Sequence, residues 1–338
     1  MKPSEIVKAL KLLTQEKIPA FLWGSPGVGK SQVVSQTAQA LGWDLRDIRA
    51  LLLDPVDLRG LPRFENGNTV WSPPGFLPHE GEGIFFLDEL NAAPPMVMNA
   101  CLQLVLDRQV GEYHLPDGWA IIAAGNLESD RANVSRMPTP LRNRFVHIDF
   151  TPDLEDWCAW AGREGIHPAV VAFLRFKTAL LFSFDKDSNA FPTPRSWARV
   201  SQIIQASENG GSLIGSLPPA IVEALVEGTV GKGAAAEFAG YWRVFDDLPN
   251  IEQILQEPER ARVPKQPAVL YALATTLSRR ISPENLGNAV IYLKRMPPEM
   301  QVLTMKECTE ARPDLMAARE FVEWASKLRM PMGGGRKQ

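Results

Sequence analysis

Cysteine, histidine and long apolar runs are scarce in this chain, and each scarcity removes a class of protein. Its 338 residues include three cysteines, Cys101, Cys158 and Cys308, which offer neither a C-x-x-C pair nor the even count of a disulfide framework. Thiols used this way fit a reducing cytoplasm. The four histidines, His79, His114, His147 and His167, stand apart without ligand spacing, so no structural metal site is read from them. No apolar run approaches the roughly 20 residues that span a bilayer. The first residues also lack a basic start followed by an apolar segment, so neither membrane insertion nor export is expected. An excess of one charge is missing too: 36 basic side chains face 39 acidic ones, a net charge of -3. That balance asks for no polyanionic partner, although a basic stripe can hide in an acidic total. Internal repeats and low-complexity blocks are absent.

What is there is an ordinary globular composition, 45% hydrophobic and 22% charged, with room for two or three compact units. In the first half, Ile18–Trp23, Ile84–Leu87, Trp119–Ala124 and Val146–Phe150 are short apolar runs separated by stretches of helical period. That alternation predicts a parallel sheet covered by helices. After Thr151-Pro152 the character becomes helical, with Leu154–Arg163, Pro168–Leu181 and Pro194–Ala206 as segments and Trp242, Phe245, Tyr271, Tyr292, Phe321 and Trp324 as core aromatics. Ser207–Gly215, with Asn209-Gly210-Gly211, reads as a loop and Gly228–Gly233 as a second interruption.

Gly24-Ser25-Pro26-Gly27-Val28-Gly29-Lys30-Ser31 matches G-x-x-x-x-G-K-[ST] in full. It lies between an apolar run and a segment, Ser31–Leu41, whose Val33, Val34, Ala38 and Leu41 fall near helical spacing before Gly42. The chemistry needs that placement, because N–H groups of a glycine-rich turn and a helix N-terminus point at phosphate oxygens. Lys30 is expected to reach the β- and γ-phosphates and the Ser31 hydroxyl to ligate Mg²⁺, with Gln32 in the first helical turn beside them. Gly83-Ile84-Phe85-Phe86-Leu87-Asp88-Glu89 is a second apolar run ending in two carboxylates. Asp88 is assigned to the Mg²⁺ shell, and Glu89 to polarising the water that attacks the γ-phosphate.

The string Leu87-Asp88-Glu89-Leu90-Asn91-Ala92-Ala93-Pro94-Pro95, continuing to Asn99-Ala100-Cys101-Leu102 and Asp107-Arg108-Gln109-Val110, resembles the D-E-I-N-x-A-P-P, A-L-L and R-Q-V of MoxR-type AAA+ ATPases. Ala92 departs from it, since many relatives carry arginine there. Asp54–Pro62 and Trp71–Phe76 resemble the helix-2 insert of this clade, with Asn66-Gly67 as a hairpin turn; such inserts face the central pore in relatives. Ala123-Ala124-Gly125-Asn126 resembles the sensor-1 strand, which implies that Asn126 orients the attacking water. Pro140-Leu141-Arg142-Asn143-Arg144-Phe145 resembles the segment that supplies an arginine finger to a neighbouring subunit. Arg144 fits that position best and Arg142 competes with it. Thr193-Pro194-Arg195-Ser196 resembles sensor 2, which implies a γ-phosphate contact for Arg195, in cis or in trans.

The resemblance covers about Leu12–Ala206 and implies an α/β fold: a P-loop parallel sheet with flanking helices, followed by a helical lid and a helical extension. The expected division is a core over 1–152 with its insert at about 54–76, a lid over 153–260, an extension over 261–332 and a flexible tail over 333–338. It further implies ATP and Mg²⁺ as ligands and a homo-oligomeric ring, a hexamer in the family. The expected activity is ATP hydrolysis that remodels a protein client or adaptor, often one with a von Willebrand factor A domain. A nucleic-acid motor is the alternative, disfavoured by the acidic balance; a nucleotide-gated scaffold with little turnover is another.

Overall fold

The apolar runs become the strands of one parallel sheet. In the computed structural model, which describes residues 1–127, 130, 137–208, 217–246 and 248–327, the chain divides into two compact units. One comprises Met1–Asp156 with Thr193–Arg195, the other Trp157–Pro192 with the chain from Ser196 onward. Among the described residues, no helix is long and apolar enough to cross a membrane.

The first unit runs α1 (Pro3–Gln15), β1 (Ala20–Trp23), α2 (Lys30–Leu41), β2 (Asp44–Arg49), α3 (Pro55–Arg59), β3 (Leu61–Glu65), β4 (Asn68–Ser72), β5 (Gly83–Asp88), α4 (Pro95–Asp107), β6 (Gln109–Val110), β7 (Tyr113–His114), β8 (Trp119–Gly125), α5 (Thr139–Arg142) and β9 (Val146–Asp149). Five strands form a sheet in the order β2-β5-β8-β1-β9, with every neighbouring pair parallel. All seven residues of β8 are buried, as is β5 up to Leu87. This explains their continuous apolar sequences, because a parallel sheet is covered on both faces. The edge strand β2 escapes a reading by apolar runs: in Asp-Leu-Arg-Asp-Ile-Arg only Leu45 and Ile48 are half-buried. Asn66 and Gly67 have φ of 51° and 81°, the paired left-handed conformation of a two-residue hairpin loop, and join β3 to β4 in an antiparallel ladder. The base of that hairpin requires Gly60, where a Cβ would lie 1.9 Å from the Ser72 carbonyl oxygen.

The second unit contains α6 (Leu154–Arg163, its first turn in the first unit), α7 (Pro168–Phe176), α8 (Pro194–Glu208, entering from the first unit), α9 (Pro219–Val230), α10 (Lys232–Asp246), α11 (Ile251–Gln256), α12 (Pro267–Arg280), α13 (Leu286–Leu293), α14 (Pro298–Ala311) and α15 (Arg319–Lys327). Tyr292 and Trp324 are buried in its core, with Tyr271 and Phe321 packed at the margin. The segment read as Pro168–Leu181 breaks at Lys177, whose non-helical backbone (φ -123°, ψ 64°) separates α7 from a 3-10 turn over Thr178–Leu181. Gly228 lies inside α9, and the interruption falls at Gly231. A helix tolerates one glycine at a cost of about 1 kcal/mol. Asn209-Gly210-Gly211, the tail over 333–338 and the Phe245 side chain lie outside the described residues.

Candidate functional site

The candidate residues gather at the carboxyl ends of three adjacent strands, β5, β8 and β1. The pairing of Trp23 with Gly125 and of Leu87 with Ala123 brings the residues that follow each strand to one edge of the sheet. Ligands bind there in open α/β sheets. After β1 the chain turns through Gly27 and Gly29, with φ of 79° and 110°, and enters α2 without a side-chain cap. The first N–H groups of α2 are thereby left to an anion. A Cβ on Gly27 would approach Thr193 Oγ1 to 2.8 Å, and the Arg195 N–H donates to the Gly27 carbonyl at 3.2 Å. Thr193–Arg195, distant in sequence, thus back the loop from within the same unit.

Lys30 is 8% exposed and its ammonium donates to the Gly24 carbonyl at 2.6 Å, the Ser25 carbonyl at 3.2 Å and Asn126 Oδ1 at 2.9 Å. Burial pulls its pKa down to about 8, Arg195 adds to the depression, and Asp88, Asp130 and Glu89 oppose it. The group is a cation waiting for more negative charge than the loop supplies. Ser25 and Val28 are buried in the loop, Pro26 is half-buried, and Gln32 is exposed on α2. The Ser31 hydroxyl donates to Asp88 Oδ2 at 2.9 Å, placing two hard oxygen donors side by side. Among the described residues, no group of three or more His, Cys, Asp or Glu could hold a metal. Mg²⁺ in phosphate sites needs no such cluster, since one or two protein oxygens suffice with phosphates and waters. The Ser31–Asp88 pair fits that requirement.

Glu89 follows Asp88 in left-handed backbone, φ 56° and ψ 32°, a conformation that costs a non-glycine residue roughly 1–2 kcal/mol. Its N–H donates to Asp88 Oδ1 at 2.9 Å, and the fully buried Leu90 anchors the next turn. Asn91, 2% exposed, donates from Nδ2 to the Asn126 carbonyl at 2.8 Å and accepts the Asn126 N–H at 3.2 Å. The Asn126 backbone is therefore clamped on both sides. Gly125 permits this clamp, because a Cβ there would come within 2.4 Å of Asn91 Oδ1. Sequence reasoning places Asn91 in a motif but gives it no task. Its partner stands 35 positions away, and only strand order brings the two together.

The structure therefore pairs Lys30 with Asn126 and its neighbour Ser31 with Asp88 by hydrogen bonds, with Glu89 adjacent and Asp88 and Arg195 close enough for their charges to act on Lys30. Arg142 and Arg144 are exposed on and after α5.

A glycine-rich loop between strand and helix, a buried lysine and a serine–aspartate pair at the carboxyl edge of the sheet define a P-loop nucleotide-binding domain. Residues 19–145 match the family described as the AAA domain, dynein-related subfamily. The chain is 33% identical over 155 residues to midasin of Giardia intestinalis, covering 42% of this chain and 3% of midasin. It is 27% identical over 157 residues to protein MoxR of Paracoccus denitrificans, covering 44% of this chain and 46% of MoxR. The match thus spans less than half of either relative. Among solved structures, NtrX of Brucella abortus in complex with ATP aligns at 13% identity over 96% of this chain and 66% of that chain, with a TM-score of 0.42. A point mutant of RuvB from Thermotoga maritima aligns at 14% identity over 81% of this chain and 79% of that chain, with a TM-score of 0.40. The chain is thus similar over residues 19–145 to the AAA domain family, and over 157 residues to a MoxR protein.

Proposed function

We propose that the chain hydrolyses ATP at sites shared between neighbouring subunits of a ring, and uses that cycle to remodel a partner protein. The separation of charges carries this reading. Lys30 is bonded to Asn126 and Ser31 to Asp88 at the carboxyl edge of the sheet, and the arginine whose charge acts on Lys30 is Arg195. Arg142 and Arg144 stand exposed, which suits groups offered to another subunit.

In this reading Lys30 exchanges the Gly24 and Ser25 carbonyls for phosphate oxygens. Ser31 and Asp88 would hold Mg²⁺, which neutralises charge developing on the phosphates. Glu89 takes the proton of the attacking water, Asn126 orients that water, and Asn91 keeps Asn126 in place. Arg195 contacts the γ-phosphate. Arg144, or Arg142 beside it, stabilises transition-state charge across the interface, an effect worth about 10³- to 10⁵-fold where measured in GTPases. A site completed by a neighbour requires head-to-tail contact, and repetition of that contact closes a ring. A cytoplasmic hexamer acting on a client or adaptor, including one with a von Willebrand factor A domain, is the form the MoxR resemblance favours. Against the nucleic-acid alternative, the hairpin's Arg63 is paired with Glu65 at 3.2 Å, which leaves little free positive charge there. The scaffold alternative separates on Glu89→Gln: a remodeller loses its action while keeping nucleotide, whereas a scaffold stays competent.

The test is ATPase rate against protein concentration, with Lys30→Ala and Arg144→Ala subunits alone and mixed. Recovery in the mixture supports shared sites. Full activity of the dilute monomer, with no recovery on mixing, leaves a self-contained P-loop ATPase instead.

A further inference from the structure

His147 is one of four scattered histidines in the sequence, yet both of its ring nitrogens are engaged. It lies on β9 opposite Phe21 of β1. Trp23 Nε1 donates to His147 Nδ1 at 2.8 Å, and His147 Nε2 lies 2.8 Å from the Arg142 carbonyl oxygen. An indole N–H can only donate and a carbonyl can only accept. The ring must therefore carry its hydrogen on Nε2 and its lone pair on Nδ1, the one tautomer that makes both bonds. The two rings also stack, with centroids 6.0 Å apart and planes at 25°, and Phe21 packs edge-on to Phe145 at 5.5 Å.

The two ends of this relay are unlike ordinary surface positions. Trp23 is the last residue of β1 and is followed directly by Gly24, whose carbonyl holds Lys30. Arg142 closes α5 and begins the Arg142-Asn143-Arg144 turn. That turn borders an open cleft of about 490 Å³ lined by Thr139, Pro140, Arg142, Asn143, Phe145 and His147. We propose that His147 is a positioning residue that holds the arginine-bearing turn against the end of the phosphate-loop strand, so that this strand, with its loop filled or empty, sets the arginine a subunit presents to its neighbour. This rests on the shared-site reading above. It adds a link that reading does not contain: Trp23, His147 and the Arg142 carbonyl act as one rigid connection.

Subunit mixing tests the link, because cis and trans defects give opposite patterns. His147→Phe keeps the ring packing and removes both hydrogen bonds; it should bind nucleotide normally yet turn over about tenfold to a hundredfold more slowly, the scale expected when a catalytic group is misplaced. Mixed with Lys30→Ala, which supplies an intact arginine turn, it should regain activity. Mixed with Arg144→Ala, which lacks that arginine, it should not. Trp23→Phe, which cuts one bond and leaves the histidine, should show the same pattern more weakly and serves if His147→Phe does not fold. Weakened nucleotide binding, recovery with Arg144→Ala, or full activity of both variants alone overturns the proposal. Failure of the control pair, Lys30→Ala with Arg144→Ala, instead marks the shared-site reading as the part that is wrong.

Discussion

Lys30 binds its loop at a cost to its own charge. Burial lowers its pKa from 10.5 to about 8, and a bound polyphosphate should raise it again. Below about pH 8 the free lysine is already charged and binding takes up no proton. Above that value the free lysine is neutral, binding takes up a proton, and affinity should fall by up to about tenfold per pH unit. Titration with a fluorescent ATP analogue at about pH 7, 8 and 9 checks this, and flat affinity over that range would separate Lys30 from the phosphates. Asn91 should behave differently. Asn91→Leu keeps the branched shape but removes both bonds to the Asn126 backbone, so kcat should fall about tenfold or more with nucleotide affinity nearly unchanged, the pattern of lost transition-state contact. Parallel loss of affinity would show that Asn91 supports the loop instead. The residues of the loop and the acidic pair were legible because their spacing is local. Asn91 and His147 were not, because their partners lie 35 and 5 to 124 positions away and meet through strand order.

Strands were legible where both faces are covered and illegible at the polar edge, so β5 and β8 stood out and β2 did not. The hairpin was announced by Asn66-Gly67, since few other pairs adopt two left-handed residues. Helix α7 shows a device that no local pattern reveals. Its N-cap His167 accepts the Ala169 N–H through Nδ1 at 3.2 Å, while Glu208 lies 3.3 Å from Nε2. The carboxylate invites an ion pair, but burial, helped by Arg279, pulls the His167 pKa from 6.5 down to about 4. The ring is therefore neutral at about pH 7, and its Nε2–H donates to Glu208. Between about pH 4 and 6.5 the unfolded chain binds the proton that the fold refuses, so stability is full above 6.5 and declines as pH falls, by up to about 1.4 kcal/mol per unit. Urea unfolding followed by helical signal at about pH 7 and pH 5 should show this loss in the parent and a smaller one in His167→Gln. Equal pH dependence in both would assign the acid sensitivity elsewhere.

At the scale of the molecule, the described residues of the helical unit show no chemistry-bearing motif. Among the described residues its core includes apolar contacts around α12 and α13, and the Arg175 side chain pairs with Glu307 at 2.7 Å. Such packing specifies a shape without announcing a task, which is why the sequence was informative up to about residue 206 and quiet after it. The net charge of -3 belongs to this scale as well: DNA at low salt should neither bind measurably nor stimulate ATPase activity, and a salt-sensitive stimulation would favour the nucleic-acid motor. Glu89 has a consequence for the molecule's adaptability. A side chain in left-handed backbone burdens the native state, and glycine or asparagine would carry that burden more easily. Glu89→Gly should therefore melt no lower than the parent while losing turnover. A population of variants selected for heat resistance alone should drift at position 89 toward these residues, and one selected for activity should return to glutamate; deep sequencing of the two populations reads the conflict between durability and work at a single codon.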